Sequence, residues 1–296
     1  MGIEKLSRNE NEELITMKKC IIAVLTASML LAMAGCKKDE TTASTTAATT
    51  TAETTAEVTE DTTAATDDTA ATEDTADTTA EAGKVMDYAQ YIATGMDTEV
   101  TIEAYVQGKQ SWWDNKATVY LQDEDGAYFV YNMTCSEEDY AKLVDGQKIR
   151  VKGFKTEWSG EVEIAEGATF EIIDGNWIAT PVDVTAELGT DGLIMKQNQL
   201  ASFTGMKVEA SKDAAGNDVA FLYKWDGSGE EGDDLYFNVS VNGKTYTFTV
   251  ESYLCGKDTE VYKTVQNLKI GDTVDMEGFL YWYEGVNPHI TKVTVK

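Results

Sequence analysis

The chain has 296 residues, with 24 Lys and Arg against 52 Asp and Glu, one His, four Cys, two Pro and 42% hydrophobic residues. A formal net charge of −28 argues against a general nucleic-acid-binding surface, which should be basic, and against tight contact with anionic lipid headgroups. The single histidine, His289, excludes a multi-histidine metal site and disfavours Ser-His-Asp catalysis, and all 28 aromatic residues fall after residue 84, so residues 85–296 must carry the core.

Residues 17–36 read Met17-Lys18-Lys19, then a sixteen-residue apolar run from Cys20 to Gly35, then Cys36. Two lysines, a short apolar stretch and a small-residue exit are the parts of a secretory signal. A membrane-spanning anchor is the other reading, but a bilayer crossing needs about 20 apolar residues. The end, Met33-Ala34-Gly35-Cys36, resembles a bacterial lipobox. That resemblance implies cleavage before Cys36, a diacylglyceryl group on its sulfur and attachment to the extracytoplasmic face of the cell membrane. Residues 1–35 are then the signal peptide, with Met17 as the expected true start.

Residues 36–84 follow as a stalk. Between 40 and 82 there are 18 Thr, 12 Ala and 11 acidic residues. Nothing in that composition offsets the entropy of ordering a chain, so a disordered spacer is expected.

From residue 85 the pattern turns to period-two alternation rich in Val, Tyr, Phe and Thr, which predicts strands. The runs are Val100–Val106, Ala117–Gln122, Ala127–Met133, Lys148–Phe154 and Gly160–Ile173, with Gln122–Gly126 as a hairpin turn. Ser136–Leu143 has helical spacing with Ser136 as N-cap. Five strands with a helix between the third and fourth is the layout of an OB-fold. The order recurs downstream: Gly146-x6-Gly153-Phe154 matches Gly271-x6-Gly278-Phe279 at an offset of 125, and Trp158 and Gly160 map onto Tyr283 and Gly285. Helical segments are also expected at Met86–Thr94 and Met195–Phe203. The fold class is therefore all-β, two tandem OB-fold-like five-stranded barrels at 85–175 and 176–296.

The stretch from Ala117 to Tyr131, followed by Lys148-Ile-Arg-Val-Lys-Gly-Phe154, resembles the extracytoplasmic OB-fold modules of Gram-positive surface proteins. Some of those modules accompany cell-wall nucleases and are classed as nucleic-acid-binding; many stand on lipoproteins of unknown role. The resemblance implies a fold and a surface location more than a ligand.

OB-folds bind oligonucleotides or oligosaccharides on the face of strands 2 and 3, between the 1–2 and 4–5 loops. In the first unit Trp112 and Trp113 fall in the former loop and Trp158 in the latter, with Tyr120 and Tyr131 on the intervening strands. Lys109, Lys116, Arg150, Lys152 and Lys155 lie near those loops. The second unit offers Tyr281, Trp282 and Tyr283, and Trp225 in an enlarged 1–2 connection. The rings either stack on a ligand or cap and join the barrels. Residues 85–175 hold 18 acidic and 7 basic residues, and 176–296 hold 18 and 10. That balance favours a glycan or other envelope component over an oligonucleotide, whose affinity rests on phosphate contacts. A protein partner without a small ligand is the third reading. The lysines' other roles are a solvated strand face or pairing with Asp275 and Glu277 of the second unit.

No nucleophile is flanked by a base and no phosphate-cradling loop appears, so no catalytic residue, cofactor or metal is expected. The acidic loop Asp226–Asp234 leaves Ca²⁺ as a minor alternative. Cys135 and Cys255, at equivalent ends of the third strands, are free thiols or, in an oxidising envelope, a disulfide.

Overall fold

The computed structural model describes residues 84–296. The expected signal peptide, Cys36 and the stalk lie outside the described residues.

The first barrel is β1 (Glu99–Lys109), β2 (Lys116–Gln122), β3 (Ala127–Thr134), β4 (Gln147–Trp158), β5 (Glu161–Ile164) and β6 (Thr169–Asn176). Its sheet runs β1-β2-β3-β5-β4-β6, and β1 pairs with β4 to close a five-strand ring. All ladders are antiparallel except β3–β5. β1 shows why the sequence folds this way: Val100, Ile102, Ala104 and Val106 point to the core, while Glu103 and Tyr105 stay half-exposed. The expected single fifth strand is split into β5 and β6 around Ala165–Ala168, where Gly167 takes a φ of 90°.

The second barrel repeats the plan with β7 (Val182–Asp183), β8 (Leu200–Glu209), the short pair β9 (Ser211–Lys212) and β10 (Asp218–Val219), β11 (Leu222–Tyr223), β12 (Leu235–Val241), β13 (Lys244–Val250), β14 (Thr273–Phe279) and β15 (His289–Val295). Its order is β11-β12-β13-β15-β14-β8-β7, closed by β12–β8, with β13–β15 parallel at the position of β3–β5 and the short edge strand β7 also parallel to β8. The chain is thus mostly strand, with two closed five-strand barrels of one topology, each filled by its own apolar core.

Helices are short. α1 (Tyr88–Ala93) starts on a capping box in which Asp87 accepts from the Gln90 N–H and donates its own N–H to the Gln90 side chain. α1 seats Tyr91 against Tyr128 in the first core. α2 (Glu137–Lys142) and α3 (Glu260–Gln266) link strands 3 and 4 of their barrels, capped by Ser136 and Thr259. The helix expected over Met195–Phe203 is absent. A 3₁₀ segment covers Asp191–Lys196, and β8 begins at Leu200, because Ala201 and Phe203 enter the core at strand period while β14 supplies the backbone partners. Cys135 and Cys255 are both buried free thiols, held up to about 11 and about 12 chiefly by desolvation.

Candidate functional site

In the first barrel the outward side chains of β2 and β3 include Tyr120, Gln122, Phe129 and Tyr131. This is the face on which an OB-fold takes its ligand, and the second barrel fills it. Tyr120 stacks on Phe279 at 4.1 Å with planes 9° apart, and Phe129 meets Tyr281 edge-on at 5.3 Å. Leu200, Leu254 and Tyr131 complete this third apolar cluster. Gly108 permits the approach, since a Cβ there would sit 2.8 Å from the Phe279 ring; within the second barrel, a Cβ on Gly278 would strike the His289 carbonyl of the neighbouring strand.

Polar groups lock the same joint. The Tyr120 hydroxyl and His289 Nδ1 share a hydrogen bond of 2.6 Å, both residues buried. Burial holds His289 near a pKa of about 3, so the ring is neutral. The Gln122 side-chain oxygen accepts from the Leu200 N–H. Glu161, with 0% exposure, accepts from Asn198 Nδ2 at 2.6 Å and from the Trp282 N–H at 2.9 Å. Burial raises its pKa well above the usual carboxyl range, and those two donors pull the other way. The expectation that Tyr120 projects toward a ligand is therefore corrected: its ring is 0% exposed and belongs to the joint.

The cations expected near the binding loops are committed within the first barrel. Lys109 donates to the Tyr140 carbonyl and lies over the Tyr140 ring. Lys116 pairs with Glu166, Lys152 with Glu99, Lys148 and Arg150 with Glu103, and Lys142 with Glu138 and Asp139. Lys155 is buried, its ammonium donating to the carbonyls of Tyr91, Ile92 and Thr94 at the end of α1. All seven basic residues of 85–175 thus have partners inside that barrel. Arg150 and Lys152 do not reach Asp275 and Glu277, which pair instead with Lys296 and Lys292.

The tryptophans take three roles. Trp112 Nε1 donates to the Cys135 carbonyl at 2.9 Å, and Trp113 has the Lys116 ammonium 4.8 Å from its ring. Trp158, the last residue of β4, meets Tyr283 across the joint at 5.1 Å. Trp282 packs on the second core. Tyr283 keeps 36% exposure and Trp225, in the 1–2 connection of the second barrel, 62%. The structure does not gather the expected residues into one platform: Trp112 and Trp113 lie on one connection of the first barrel, while Trp158 and Tyr283 lie on the seam.

The equivalent face of the second barrel is accessible along Asn238, Ser240, Thr245 and Thr247, while Thr249 and Glu251 toward its other end are buried. On β12 and β13, Tyr236 stands opposite Thr249, Asn238 opposite Thr247 and Ser240 opposite Thr245. Their partners in that hairpin, Leu235, Phe237, Val239, Phe248 and Val250, all enter the core. Thr247 donates to Asn238 Oδ1, and Ser240 donates to Glu209. Continuing the register by one rung places Asp234 beside Glu251. Asp234 Oδ1 accepts from the Ser252 N–H and hydroxyl, and Glu251 accepts from the N–H groups of Tyr253 and Leu254. Burial, then the Asp234 charge, lifts Glu251 to about 8; burial likewise raises Asp234. Burial also raises the Tyr236 hydroxyl, with further contributions from Asp234, Glu251 and Tyr283. Sequence reasoning missed this strip, although the polar alternation Tyr236-x-Asn238-x-Ser240 and Thr245-x-Thr247-x-Thr249 was its signal. In the acidic loop, Asp226 and Asp233 bond their own turns, and among the described residues no cluster of three or more metal-ligating side chains occurs.

No family model matches the chain, and no curated protein matches it. Among solved structures it is similar to an Ifi202 HINa domain in complex with 20 bp dsDNA, at 11% identity over 68% of this chain and 96% of that one, with a TM-score of 0.31. A replication protein A heterotrimer bound to ssDNA gives 12% identity, 69% and 51% coverage and a TM-score of 0.29. An asparaginyl-tRNA synthetase from Entamoeba histolytica gives 16% identity and a TM-score of 0.25; the match covers 34% of this chain and only a quarter (25%) of the synthetase. The OB-type assignment stands on the strand order and closure of the chain itself.

Proposed function

We propose that residues 84–296 are the non-catalytic binding head of an exported lipoprotein, anchored through Cys36 to the outer face of the cell membrane and lifted from it by residues 37–83. The observation that carries the reading is the asymmetry of the two barrels. The strand 2–3 face of the first is filled by the second, while that of the second remains accessible as a polar strip rimmed by rings. An oligomeric ligand would lie along β12 and β13, bonding Asn238, Ser240, Thr245 and Thr247, with Tyr236 and Tyr283 against its rings.

A glycan is the first ligand reading. It rests on charge alone, because every cation of the first barrel is already partnered and the head carries more carboxylates than it can pair. No relative supports it. Single-stranded nucleic acid is the second reading, since OB faces take oligonucleotides as readily as sugars. The replication protein A and Ifi202 structures contain ssDNA and dsDNA, but at those TM-scores they transfer no ligand to this chain.

A glycan and oligonucleotide array probed with the purified head tests both. Binding that survives 0.5 M salt supports the glycan; a steep loss of affinity with salt supports nucleic acid. Asn238→Ala with Thr247→Ala should abolish either; unchanged binding in that variant removes this face from consideration. Anchoring is tested separately by fatty-acid labelling in cells, which Cys36→Ser should eliminate.

A further inference from the structure

We infer that the free edge of β6 is a docking site for an extended segment of a partner protein, one that alternates basic and apolar residues and adds to the first sheet as a further strand. This edge belongs to the first barrel and stands independently of the ligand proposed for β12 and β13.

β6 is the last strand of its sheet and, among the described residues, pairs on one side only, with β4. The other row of backbone N–H and C=O groups has no strand beside it, and six of the eight residues are exposed. The second barrel treats the same position differently. β15 exposes three residues of seven, and α3 lies beside it, with Thr264 and Asn267 lining one shallow cleft with Val295. α3 buries Val261, Tyr262 and Val265, whereas α2 buries none of its residues. The end strands of the second sheet, β7 and β11, are two residues each. Short length, lysine and proline are the usual means of blunting an edge, and Thr169–Asn176 has none of the three. The register slips between Gln147 and Ile149, so the regular part of the edge is Thr169–Ile172.

That register sets what a docking strand must carry. Phe170 stands opposite Val151 and Ile172 opposite Ile149, both core residues, so these two side chains lie on the core side. Phe170 packs on the core, while Ile172 keeps exposed apolar surface. Thr169 and Glu171 stand opposite Lys152 and Arg150 on the outer side. Arg150 bonds Glu103 at 2.7 Å and reaches Glu171 only at 3.3 Å, and Asp174 is exposed further along. A strand laid alongside therefore sets its apolar residues by Phe170 and Ile172 and its cations by the two carboxylates.

A second copy of the chain is a poor occupant. It would bring together the acidic edges of two heads, each with 36 carboxylates against 17 cations over residues 85–296. A glycan or nucleic acid has no row of peptide groups to match the ladder. An extended peptide has one: main-chain bonds hold it, and alternate side chains select it.

The test is calorimetry and residue-resolved hydrogen exchange on residues 37–296 with the capped peptide Lys-Val-Lys-Val-Lys-Val and its block isomer Lys-Lys-Lys-Val-Val-Val. The alternating peptide should bind about tenfold more tightly, the combined scale of two favourable cross-strand pairs. It should slow exchange at the amides of Thr169–Ile173 that face away from β4. N-methylation of alternate peptide nitrogens should abolish binding in one register and spare it in the other. Glu171→Lys with Asp174→Lys, both at exposed positions, should transfer the preference to Glu-Val-Glu-Val-Glu-Val, which also shows that the variant is folded. Equal binding of the block isomer, or of both N-methylated peptides, overturns the inference, because charge alone then suffices. Absence of binding, or protection confined to other strands, overturns it as well. Protection of those amides in the free protein also overturns it: loss on dilution identifies a second copy as the occupant, and loss in a chain starting at residue 84 identifies residues 37–83.

Discussion

Trp158 and Tyr283 hold equivalent places in the two barrels, and they touch. Their ring centroids lie 5.1 Å apart at 47°, and the next equivalent pair is also in contact, with the Glu284 N–H donating to the Ser159 carbonyl at 2.7 Å. Ser159 and Glu284 share the same left-handed backbone, each with a φ of 52°. Equivalent residues meeting one another is the mark of a local two-fold relation, here between the 4–5 loops. The rings expected to serve two separate sites instead join the barrels at one seam.

The seam should therefore be energetically coupled. In a double-mutant cycle of Trp158→Ala and Tyr283→Ala, urea unfolding should give a coupling of about 0.5–1.5 kcal/mol, the range for tilted aromatic pairs. Additive single effects would show that the rings are merely adjacent.

Tyr120 should be the keystone of the joint. Tyr120→Phe keeps the stack on Phe279 but leaves His289 Nδ1 without its partner, at a cost of about 1–3 kcal/mol. Tyr120→Ala also opens a cavity and should cost about 3–5 kcal/mol. Because the barrels have separate cores, this variant should further split the urea transition, so that tryptophan fluorescence and far-UV dichroism no longer coincide.

Stability should peak in mildly acidic solution. Glu251, held at about 8, together with Glu161 and Asp234, also raised by burial, binds protons in the folded chain at a pH where the unfolded chain has released them. Their contribution is full below about pH 4.5 and is lost as pH rises toward 8. His289 acts oppositely. Its folded pKa near 3 lies below the unfolded value, so its contribution is full above about pH 6.5 and is lost as pH falls toward 3. Glu103, lowered mainly by its bonds to Lys148 and then Arg150, adds to the acid-side loss. Thermal melts should give a maximum at about pH 5–6, and Glu251→Gln should flatten the alkaline limb alone. A melting temperature that rises steadily from pH 5 to 8 would contradict this assignment.

Lys155 should hold the entry to the head. Its ammonium is the shared donor for three carbonyls at the end of α1, and Lys155→Met would leave them unpaired. The expected loss is about 2–3 kcal/mol, accompanied by proteolytic cleavage between residues 84 and 98 before either barrel is cut. Cleavage elsewhere first would deny it a clamping role.

Much of this protein is written in local pattern. Alternation in Val100–Val106 fixes an inward face because side chains in a strand have period two, and the recurrence of Gly146-x6-Gly153-Phe154 at Gly271 and Gly278 signals two copies of one barrel. Ser136 announces α2 because a hydroxyl there meets an otherwise orphan N–H. Where apolar spacing is short, as in Met195–Phe203, the same pattern serves helix and strand alike, and only the available partner β14 chose the strand.

The candidate site was less legible, for a different reason. The sequence places Tyr120 on the outer face of its strand and Lys155 beside the 4–5 loop, but outward from one barrel does not mean toward solvent. The packing of the barrels turned Tyr120 into core and committed Lys155 to backbone carbonyls. It also left the quieter strip of Tyr236, Asn238 and Thr247 as the accessible face. Composition and alternation determined the elements, their order and their inward sides, because those depend on neighbours one to four residues away. Which outward surface stays open depends on contacts such as Tyr120 with His289, 169 residues apart, and only the tertiary structure decides those.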